Sequence, residues 1–174
     1  MARRALWIGR FQPFHLGHLS MARRILGAER DLLIGVGSAQ YSHTPENPFT
    51  AGERLEMISR ALHAEGLSRW TAVPLEDSGV HAVWVSHVTS LLPPFQVVYT
   101  NSPLVRRLFE ERRAKILELP LWKRATHTGT EVRRRMRQGG DWQSLVPPTV
   151  AAYLGEIGGE ARVREIGETR GGSG

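Results

Sequence analysis

The 174-residue sequence contains no cysteine, and lysine occurs only at Lys115 and Lys123. The absence of cysteine excludes disulfide bonds, thiolate metal sites and cysteine nucleophiles. Long apolar runs are also missing, because segments such as residues 31–36 are far shorter than the roughly 20 residues that a transmembrane helix needs. No apolar stretch of signal-peptide length follows Arg3-Arg4, so we expect a cytoplasmic protein.

The positive charge is carried almost entirely by arginine. Lysine and arginine together number 23 against 17 acidic residues, which gives a formal net charge of +6. Guanidinium groups match phosphate oxygens in pairs, so this composition suits polyanionic ligands such as nucleic acids or nucleoside triphosphates. Charge alone leaves open the alternative of a solvated, arginine-rich surface that binds no ligand.

Apolar segments and helix-like segments alternate along the chain. Strands are predicted over residues 4–9, 31–38, 69–75, 96–100 and 115–119. Helices are predicted over roughly 17–28, 50–65, the segment before Pro93-Pro94, the segment after Pro103, 128–139 and 147–157. This alternation favours an α/β fold: a single Rossmann-like, doubly wound domain over residues 1–168, with a mainly parallel five- or six-stranded sheet and helices on both faces. We expect residues 169–174 to be a disordered tail.

Two Thr-x-x-Glu sequences mark predicted helix starts, Thr50 to Glu53 and Thr128 to Glu131. In this pattern the threonine accepts from a free backbone N–H of the first turn, and the glutamate accepts from the N–H of the threonine. Both sequences therefore predict a reciprocal capping box.

Residues 9–18, with the sequence GRFQPFHLGH, follow the first predicted strand. His15 and His18 are three residues apart at a helix start, so both imidazoles can face one phosphate group. The helix start also offers unpaired N–H groups and a partial positive charge, and Gly17 leaves room for phosphate oxygens to approach the backbone. The segment predicts a phosphate site.

Other interpretations of this segment are capping or core histidines, which are the commoner role of a lone histidine. A zinc site is disfavoured, because no Asp, Glu, Cys or third His lies nearby to complete it. The dinucleotide-binding pattern G-x-G-x-x-G does not fit residues 9–18.

Residues 127–133, with the sequence HTGTEVR, begin a second, very basic helix. Its two threonines and a glycine amide can donate hydrogen bonds to phosphate, and Arg133 adds a charged fork. A plain capped helix with a solvated arginine face is the alternative.

The string GRFQPFHLGH resembles the (H/T)-x-G-H signature of the adenylyltransferase superfamily and, over its full length, the archaeal type of nicotinamide-nucleotide adenylyltransferase. Residues 128–133 resemble the second signature of that family, Ser/Thr-x-Thr-x-x-Arg, with Thr128 where serine is usual. The resemblance covers residues 5–157. It implies a nucleotidyltransferase that joins the AMP part of ATP to nicotinamide mononucleotide (NMN) and so makes NAD in the last step of NAD biosynthesis.

The resemblance also implies the site residues. Arg10, His15 and His18 would neutralise phosphate charge, and Thr128, Thr130 and Arg133 would hold the leaving pyrophosphate, with His15, His18, Arg10 and Arg133 as the catalytic set. The ATP-binding set would be Gly9, Phe11, Gly17, Asn101, Thr128, Gly129 and Thr130. The set for NMN and NAD would be Ser38, Gln40, Asp77, His81 and Trp84, with Trp84 stacked on the pyridine ring. Glu46 is acidic where the resemblance leads us to expect a basic residue.

No protein ligand for a metal is predicted, because Mg²⁺ or another divalent cation is expected on the phosphates of ATP. The expected partners are small nucleotides, with no nucleic acid and no membrane, and the resemblance implies a homo-oligomer, commonly a hexamer. We also expect His18 to act at a surface helix end, so that His18→Ala would leave folding nearly unchanged.

Two rival functions are weighed against this one. A sister enzyme that transfers a nucleotidyl group to phosphopantetheine, flavin mononucleotide or glycerol phosphate would use the same two motifs, and only Trp84 and the long N-terminal string favour the pyridine acceptor. A non-enzymatic nucleic-acid-binding protein would use the net charge and the run Arg133–Arg137, but no recognisable binding motif accompanies them.

Overall fold

The computed structural model describes residues 3–118 and 126–168 and contains a five-stranded sheet. The strands are β1 (Arg4–Gly9), β2 (Asp31–Val36), β3 (Trp70–Pro74), β4 (Val97–Tyr99) and β5 (Ile116–Leu117). All neighbouring strands are parallel, in the order β3-β2-β1-β4-β5. The predicted α/β class with a parallel, doubly wound sheet is therefore confirmed, with five strands.

Helices connect the strands and follow the last of them. Among the described residues they are α1 (Leu16–Ala28), α2 (Ala51–Ala64), α3 (His81–Leu91), α4 (Pro103–Glu110), α5 (Gly129–Gln138), α6 (Pro148–Glu156) and α7 (Gly159–Glu168), with a 3-10 turn at Gln143–Leu145. None of these helices is long and apolar enough to cross a membrane.

The two faces of the sheet carry separate hydrophobic cores, as the alternation of side chains along a strand requires. In β1, Ala5 and Trp7 belong to the core that α1, α2, α5, α6 and α7 cover, whereas Leu6 belongs to the core beneath α3 and α4. The two cores lock the strand register, because a slip of one residue would exchange the two faces.

Several predicted boundaries need correction. Strand β2 ends at Val36 instead of residue 38, because Ser38 adopts a left-handed conformation with φ 49° that a strand does not admit. Strands β4 and β5 are shorter than predicted, and residue 119 lies outside the described residues, as does the predicted tail 169–174. Helix α7 is not predicted by the sequence, because Val163 is its one fully buried apolar side chain.

The two predicted capping boxes differ. The Thr50 side chain accepts from the Glu53 N–H at 3.1 Å, and the Glu53 carboxylate accepts from the Thr50 N–H at 2.9 Å, which confirms the first box. Thr128 also accepts from the Glu131 N–H, at 3.1 Å. The Glu131 carboxylate, however, lies against Arg134 and Arg135, so the second helix has the threonine cap without the reciprocal bond.

Candidate active site

A cavity of about 280 Å³ opens at the carboxyl ends of β1 and β4, where the strand order reverses. Parallel sheets bind ligands at this kind of switch point. Thirteen residues from three parts of the chain form its wall: Trp7, Ile8, Gly9, His15, Gly17, His18, Met21, Thr100, Asn101, Ser102, His127, Thr128 and Gly129. The two predicted motifs therefore meet in one cavity, which we call the nucleotide cavity.

His15 and His18 form a stacked pair on the wall of the nucleotide cavity. Their ring centroids are 3.6 Å apart with the planes inclined by 22°. His15 is the N-cap of α1, and its Nδ1 accepts from the His18 N–H at 3.3 Å, while Nδ1 of His18 accepts from the His15 N–H at 3.2 Å. The pair is thus a capping box built from two imidazoles in place of Thr and Glu. Because both Nδ1 atoms accept, the ring proton of each histidine lies on Nε2.

Burial keeps both rings neutral. It lowers the pKa of His15 to about 3, with further lowering by His127 and Arg133. Burial also lowers the pKa of His18 well below its ordinary value, and His15 adds to the effect. The histidines can therefore donate hydrogen bonds from Nε2 at neutral pH, but they carry no positive charge there.

The expected position of His18 at a surface helix end is wrong. The His18 ring is partly buried and contacts Phe11 and Phe14, with ring centroids 4.7 and 5.4 Å away, and Trp7 at 5.8 Å. The aromatic residues lie in β1 and in the loop before α1, so chain neighbours build this environment. Replacement of His18 must disturb packing as well as any chemistry.

Close contacts join the two helix starts. Nη1 of Arg133 donates to the Gln12 carbonyl at 2.7 Å. A Cβ atom on Gly129 would lie 3.0 Å from the same carbonyl oxygen, and one on Gly17 would lie 3.1 Å from the His127 carbonyl oxygen. The loop before α1 and the start of α5 are therefore in close contact, which glycine permits at both positions.

A second pocket lies beside the nucleotide cavity and is lined by Arg10, Thr130 and Arg133, with Pro45, Glu46, Arg137 and Gly167. We call it the arginine pocket. Arg133 is 8% exposed, and its Nε has no hydrogen-bond partner among the described residues. A buried guanidinium N–H without a partner is costly, so this atom points to an anionic ligand.

A third cavity, of about 530 Å³, lies between the ends of β1 and β2 and the helices α3 and α4. We call it the acceptor cavity. Four of the five residues predicted for NMN line it: Ser38, Asp77, His81 and Trp84. Ser38 Oγ donates to the Asp77 carboxylate at 2.8 Å, which holds the β2 loop against the segment after β3. Arg10 also borders this cavity, so it stands between the acceptor cavity and the arginine pocket.

Two predicted residues lie behind the walls. The Gln40 side chain bonds to the Asp77 backbone N–H and carbonyl, at 3.1 and 3.3 Å, and so supports the acceptor cavity from the side. Phe11 is 1% exposed and packs edge-on against Trp7 at 5.0 Å. Phe11 therefore contributes to nucleotide binding indirectly, by packing against His18 and holding its ring in place.

Arg54 joins the loops that end β1 and β2, and no sequence signal marked it. Its side chain is 0% exposed, and its Nη1 donates to the carbonyls of Arg10 at 2.9 Å and Gly37 at 2.8 Å. Further bonds reach the carbonyls of Ser38 and Thr50, both at 3.2 Å. Burial and the nearby Arg10 lower the pKa of Arg54 to about 10, so the group stays charged at neutral pH.

We expect Arg54→Met to lower the free energy of unfolding by about 3–5 kcal/mol, because several buried carbonyls lose their donor at once. Urea unfolding measures the loss. Arg60→Met on the same helix is the control: Arg60 is half-exposed and paired with Glu56 and Glu156, so its loss should cost at most about 1 kcal/mol. Equal stability of the two variants would contradict this role of Arg54.

Two other residues on these walls are not among the predicted site residues, although Ser102 follows the predicted Asn101 directly. Ser102 borders both the nucleotide and acceptor cavities, and it is the N-cap of α4, where its side chain accepts from the Val105 N–H. Ser before Pro103 is a helix-start signal that could have identified it. Arg137 lies four residues after Arg133, on the same face of α5, and helical spacing could have indicated it.

Across residues 3–118 and 126–168, no group of three or more His, Cys, Asp or Glu side chains is placed to hold a metal ion. A divalent cation with mostly water and phosphate ligands needs no such group. A cation that arrives with a nucleotide is therefore compatible with these walls.

Comparisons with known proteins agree with this geometry. The chain matches the cytidylyltransferase-like family over residues 6–135. It is 51% identical over 166 residues to the nicotinamide-nucleotide adenylyltransferase of Thermoplasma volcanium, covering 95% of this chain and 93% of the relative. The enzyme of the same name from Thermoplasma acidophilum is 50% identical over 167 residues, with 96% and 93% covered.

A solved structure also shares the fold. It is a bifunctional NMN adenylyltransferase/ADP ribose pyrophosphatase from Francisella tularensis, complexed with AMP and a Mn ion, which superposes with a TM-score of 0.78 at 22% identity. The superposition covers 95% of this chain and 52% of that one, so the chain spans about half of the bifunctional protein.

Proposed function

The chain belongs to the nicotinamide-nucleotide adenylyltransferase family, within the cytidylyltransferase-like group, and from this premise we propose that it makes NAD and pyrophosphate from ATP and NMN. An oxygen of the NMN 5′-phosphate forms a bond to the α-phosphorus of ATP, and the bond from that phosphorus to the β-phosphate bridging oxygen breaks. A phosphate monoester is already largely ionised at neutral pH, because its second pKa is about 6, so no general base is required.

The observation that carries the proposal is the meeting of two helix starts beside the acceptor cavity. The imidazoles of His15 and His18 share the nucleotide cavity with Thr128 and Gly129. Arg10 borders the acceptor cavity on one side and the arginine pocket on the other. An acceptor phosphate, an α-phosphate and a pyrophosphate leaving group can thus lie in sequence along these walls.

The sources of charge and of hydrogen bonds are divided among the residues. In our proposal His15 and His18 donate from neutral Nε2 atoms, which replaces the expectation that they neutralise charge as cations. Arg10 and Arg133 supply the positive charge, and Thr128 and Thr130 bind the leaving group. Preorganised donors aimed at developing charge are the main source of rate in such transfers. Mg²⁺ or another divalent cation enters as part of the ATP substrate.

Incubation with ATP, Mg²⁺ and NMN, followed by an NAD readout with alcohol dehydrogenase, tests the activity directly. Parallel reactions with nicotinic acid mononucleotide, flavin mononucleotide and phosphopantetheine, followed by pyrophosphate release, identify the acceptor. NAD formation supports the proposal, and pyrophosphate release only with a non-pyridine acceptor would overturn it.

Trp84 is proposed as the platform for the nicotinamide ring. It is half-buried, lines the acceptor cavity and packs edge-on against Phe109, with ring centroids 5.9 Å apart. The nicotinamide ring of NMN is cationic, so an indole face attracts it. We expect Trp84→Ala to raise KM for NMN about tenfold, with KM for ATP changed less than about twofold.

Trp84→Phe is the matched variant, because it keeps an aromatic face and should retain most of the affinity for NMN. A Trp84→Ala enzyme that is stably folded and binds NMN as the wild type does would remove Trp84 from the acceptor site. Binding of each substrate is measured separately by initial rates with the other substrate saturating.

A further inference from the structure

An arginine and a glutamate that carry no role so far both line the arginine pocket. Arg137 on α5 and Glu46 in the loop before α2 both line it, beside Arg10, Thr130 and Arg133. The pocket measures about 470 Å³. It therefore presents three guanidinium groups and one carboxylate to whatever it binds.

Helix geometry directs Arg137 into this pocket. Thr130, Arg133 and Arg137 are spaced at three and four residues on α5, so they lie along one face of the helix. Helix α7 supports the side chain from behind: a Cβ atom on Gly167 would lie 2.8 Å from Cδ of Arg137. The missing side chain at Gly167 thus makes room for the stem of Arg137.

Two features of Arg133 favour an anion in the pocket. Nε of Arg133 is buried without a hydrogen-bond partner among the described residues. Burial lowers the pKa of Arg133 to about 10, and Arg10 and Arg137 lower it further, whereas Glu46 opposes the change. Glu46 is therefore close enough to offset part of the repulsion between the guanidinium groups.

We propose that Arg137 is a further binding residue for the pyrophosphate group and that Glu46 limits the affinity of the same pocket, so that the two together set how readily pyrophosphate leaves. This inference rests on the proposed function for the identity of the ligand. Three guanidinium groups bind a multiply charged anion tightly, and a product held too tightly slows turnover. A carboxylate on the same wall repels the product while it balances the arginines when the pocket is empty.

Substitution of the two residues is expected to change the affinity for pyrophosphate in opposite directions. Arg137→Gln should weaken pyrophosphate binding about tenfold, and Glu46→Gln should strengthen it about threefold, since both side chains are exposed and partly screened. Calorimetry with magnesium pyrophosphate measures binding without turnover. Product inhibition by pyrophosphate and its KM in the reverse reaction, from NAD to ATP, measure the same site during catalysis.

Gly167→Ala is a third variant, because the added methyl group displaces Arg137 without removing its charge. It should weaken pyrophosphate binding in the same direction as Arg137→Gln. Arg134→Gln is the matched control: it removes one exposed arginine from α5, but Arg134 lies against Glu131 and outside the pocket. The affinity of Arg134→Gln for pyrophosphate should match that of the wild type. KM for NMN should be unchanged in this control and in the three pocket variants.

Weaker pyrophosphate binding by Arg137→Gln together with stronger binding by Glu46→Gln supports the inference, because general destabilisation would change the affinity of both variants in one direction. Shifts of the same sign, or none, overturn it. If the two variants shift pyrophosphate affinity in this way but the wild-type protein makes no NAD, the proposed function is overturned and the anion pocket stands. NAD formation with unaltered pyrophosphate affinity in both variants would overturn only the inference.

Discussion

Arg133→Ala should lower kcat for NAD formation by about 10²–10³. Arg133 is 8% exposed, and its Nε has no partner among the described residues, although its Nη1 donates to the Gln12 carbonyl at 2.7 Å. The side chain is therefore already fixed by its Nη1 bond, and its Nε is still available to donate. A donor that needs no reorientation in the transition state contributes more than a flexible surface arginine does.

The same hydrogen bond makes Arg133 a structural residue, so kcat must be separated from folding. Removal of the guanidinium leaves the buried Gln12 carbonyl without this donor, which should cost about 1–3 kcal/mol of unfolding free energy. Arg133→Lys retains a positive charge but cannot bind both the carbonyl and a phosphate through a fixed fork. We expect its kcat to lie between those of the wild type and Arg133→Ala.

Steady-state kinetics at saturating ATP and NMN, with urea unfolding of each variant, provide the test. Arg134→Ala is the control on the same helix, since that arginine is exposed and paired with Glu131. A folded Arg133→Ala enzyme with kcat within about threefold of the wild type would show that the pocket does not hold the leaving group.

The elements that carry the site could be predicted because their signals are local. Strand β1, the loop after it and the start of α1 are encoded within residues 4–18, and the threonine caps at Thr50 and Thr128 lie three residues from the amides they bind. Parallel strands then bring their carboxyl ends to one edge of the sheet. Local signals together with this rule predict the two helix starts and the edge of the sheet at which they lie, whereas their use as one phosphate site was implied by the family resemblance.

The parts that could not be predicted depend on contacts between distant residues. Arg54 lies one residue after Glu53 in an amphipathic helix, and nothing in that pattern indicates that it is fully buried against carbonyls of two other loops. Helix α7 is held by a few contacts, such as the ion pair of Arg162 with Glu53 at 2.7 Å. Half of its residues are charged, so its sequence resembles a solvated tail.

The ionisation of the histidines also depends on the fold. The sequence showed two imidazoles at a helix start, where attraction to phosphate suggested a positive charge. The structure surrounds His18 with Trp7, Phe11 and Phe14 and occupies both Nδ1 atoms with backbone amides. Desolvation then outweighs the benefit of a charge, and the rings are neutral donors.

His18→Ala should therefore lower kcat by about 10²–10³ through the loss of an Nε2 donor, and it should also reduce stability. The lost cap and ring contacts together should cost about 1–3 kcal/mol of unfolding free energy. His18→Asn separates the two effects, because its side-chain oxygen can still accept from the His15 N–H while the shorter side chain cannot reach as far into the cavity. We expect His18→Asn to recover stability but not kcat, and recovery of both would contradict the donor role.

Neutral histidines also predict how stability varies with pH. A histidine with a pKa of about 3 in the folded state, against 6.5 when unfolded, binds a proton mainly in the unfolded state between those values. The free energy of unfolding should therefore fall as pH is lowered from 6.5, by up to about 1.4 kcal/mol per pH unit for each such histidine. Above about pH 5.5 this slope comes from His15 and His18 among the groups with a lowered pKa, because the carboxylates contribute only where the unfolded chain binds protons, near and below their ordinary pKa of 4.5. Urea unfolding at pH 7.5 and 5.5 measures it, and His18→Asn should reduce it.

The dependence of kcat on pH distinguishes neutral donors from cationic ones. If an imidazolium with an ordinary pKa were required, kcat would fall about tenfold for each pH unit above 6.5, because the charged form disappears. With both pKa values lowered by burial, the histidines keep one protonation state from pH 6.5 to 8.5, and kcat at saturating substrates should stay nearly constant. A steep decline across that range, removed by His18→Asn, would instead show that the bound phosphates raise the pKa of His18 and that it acts as a cation in the complex.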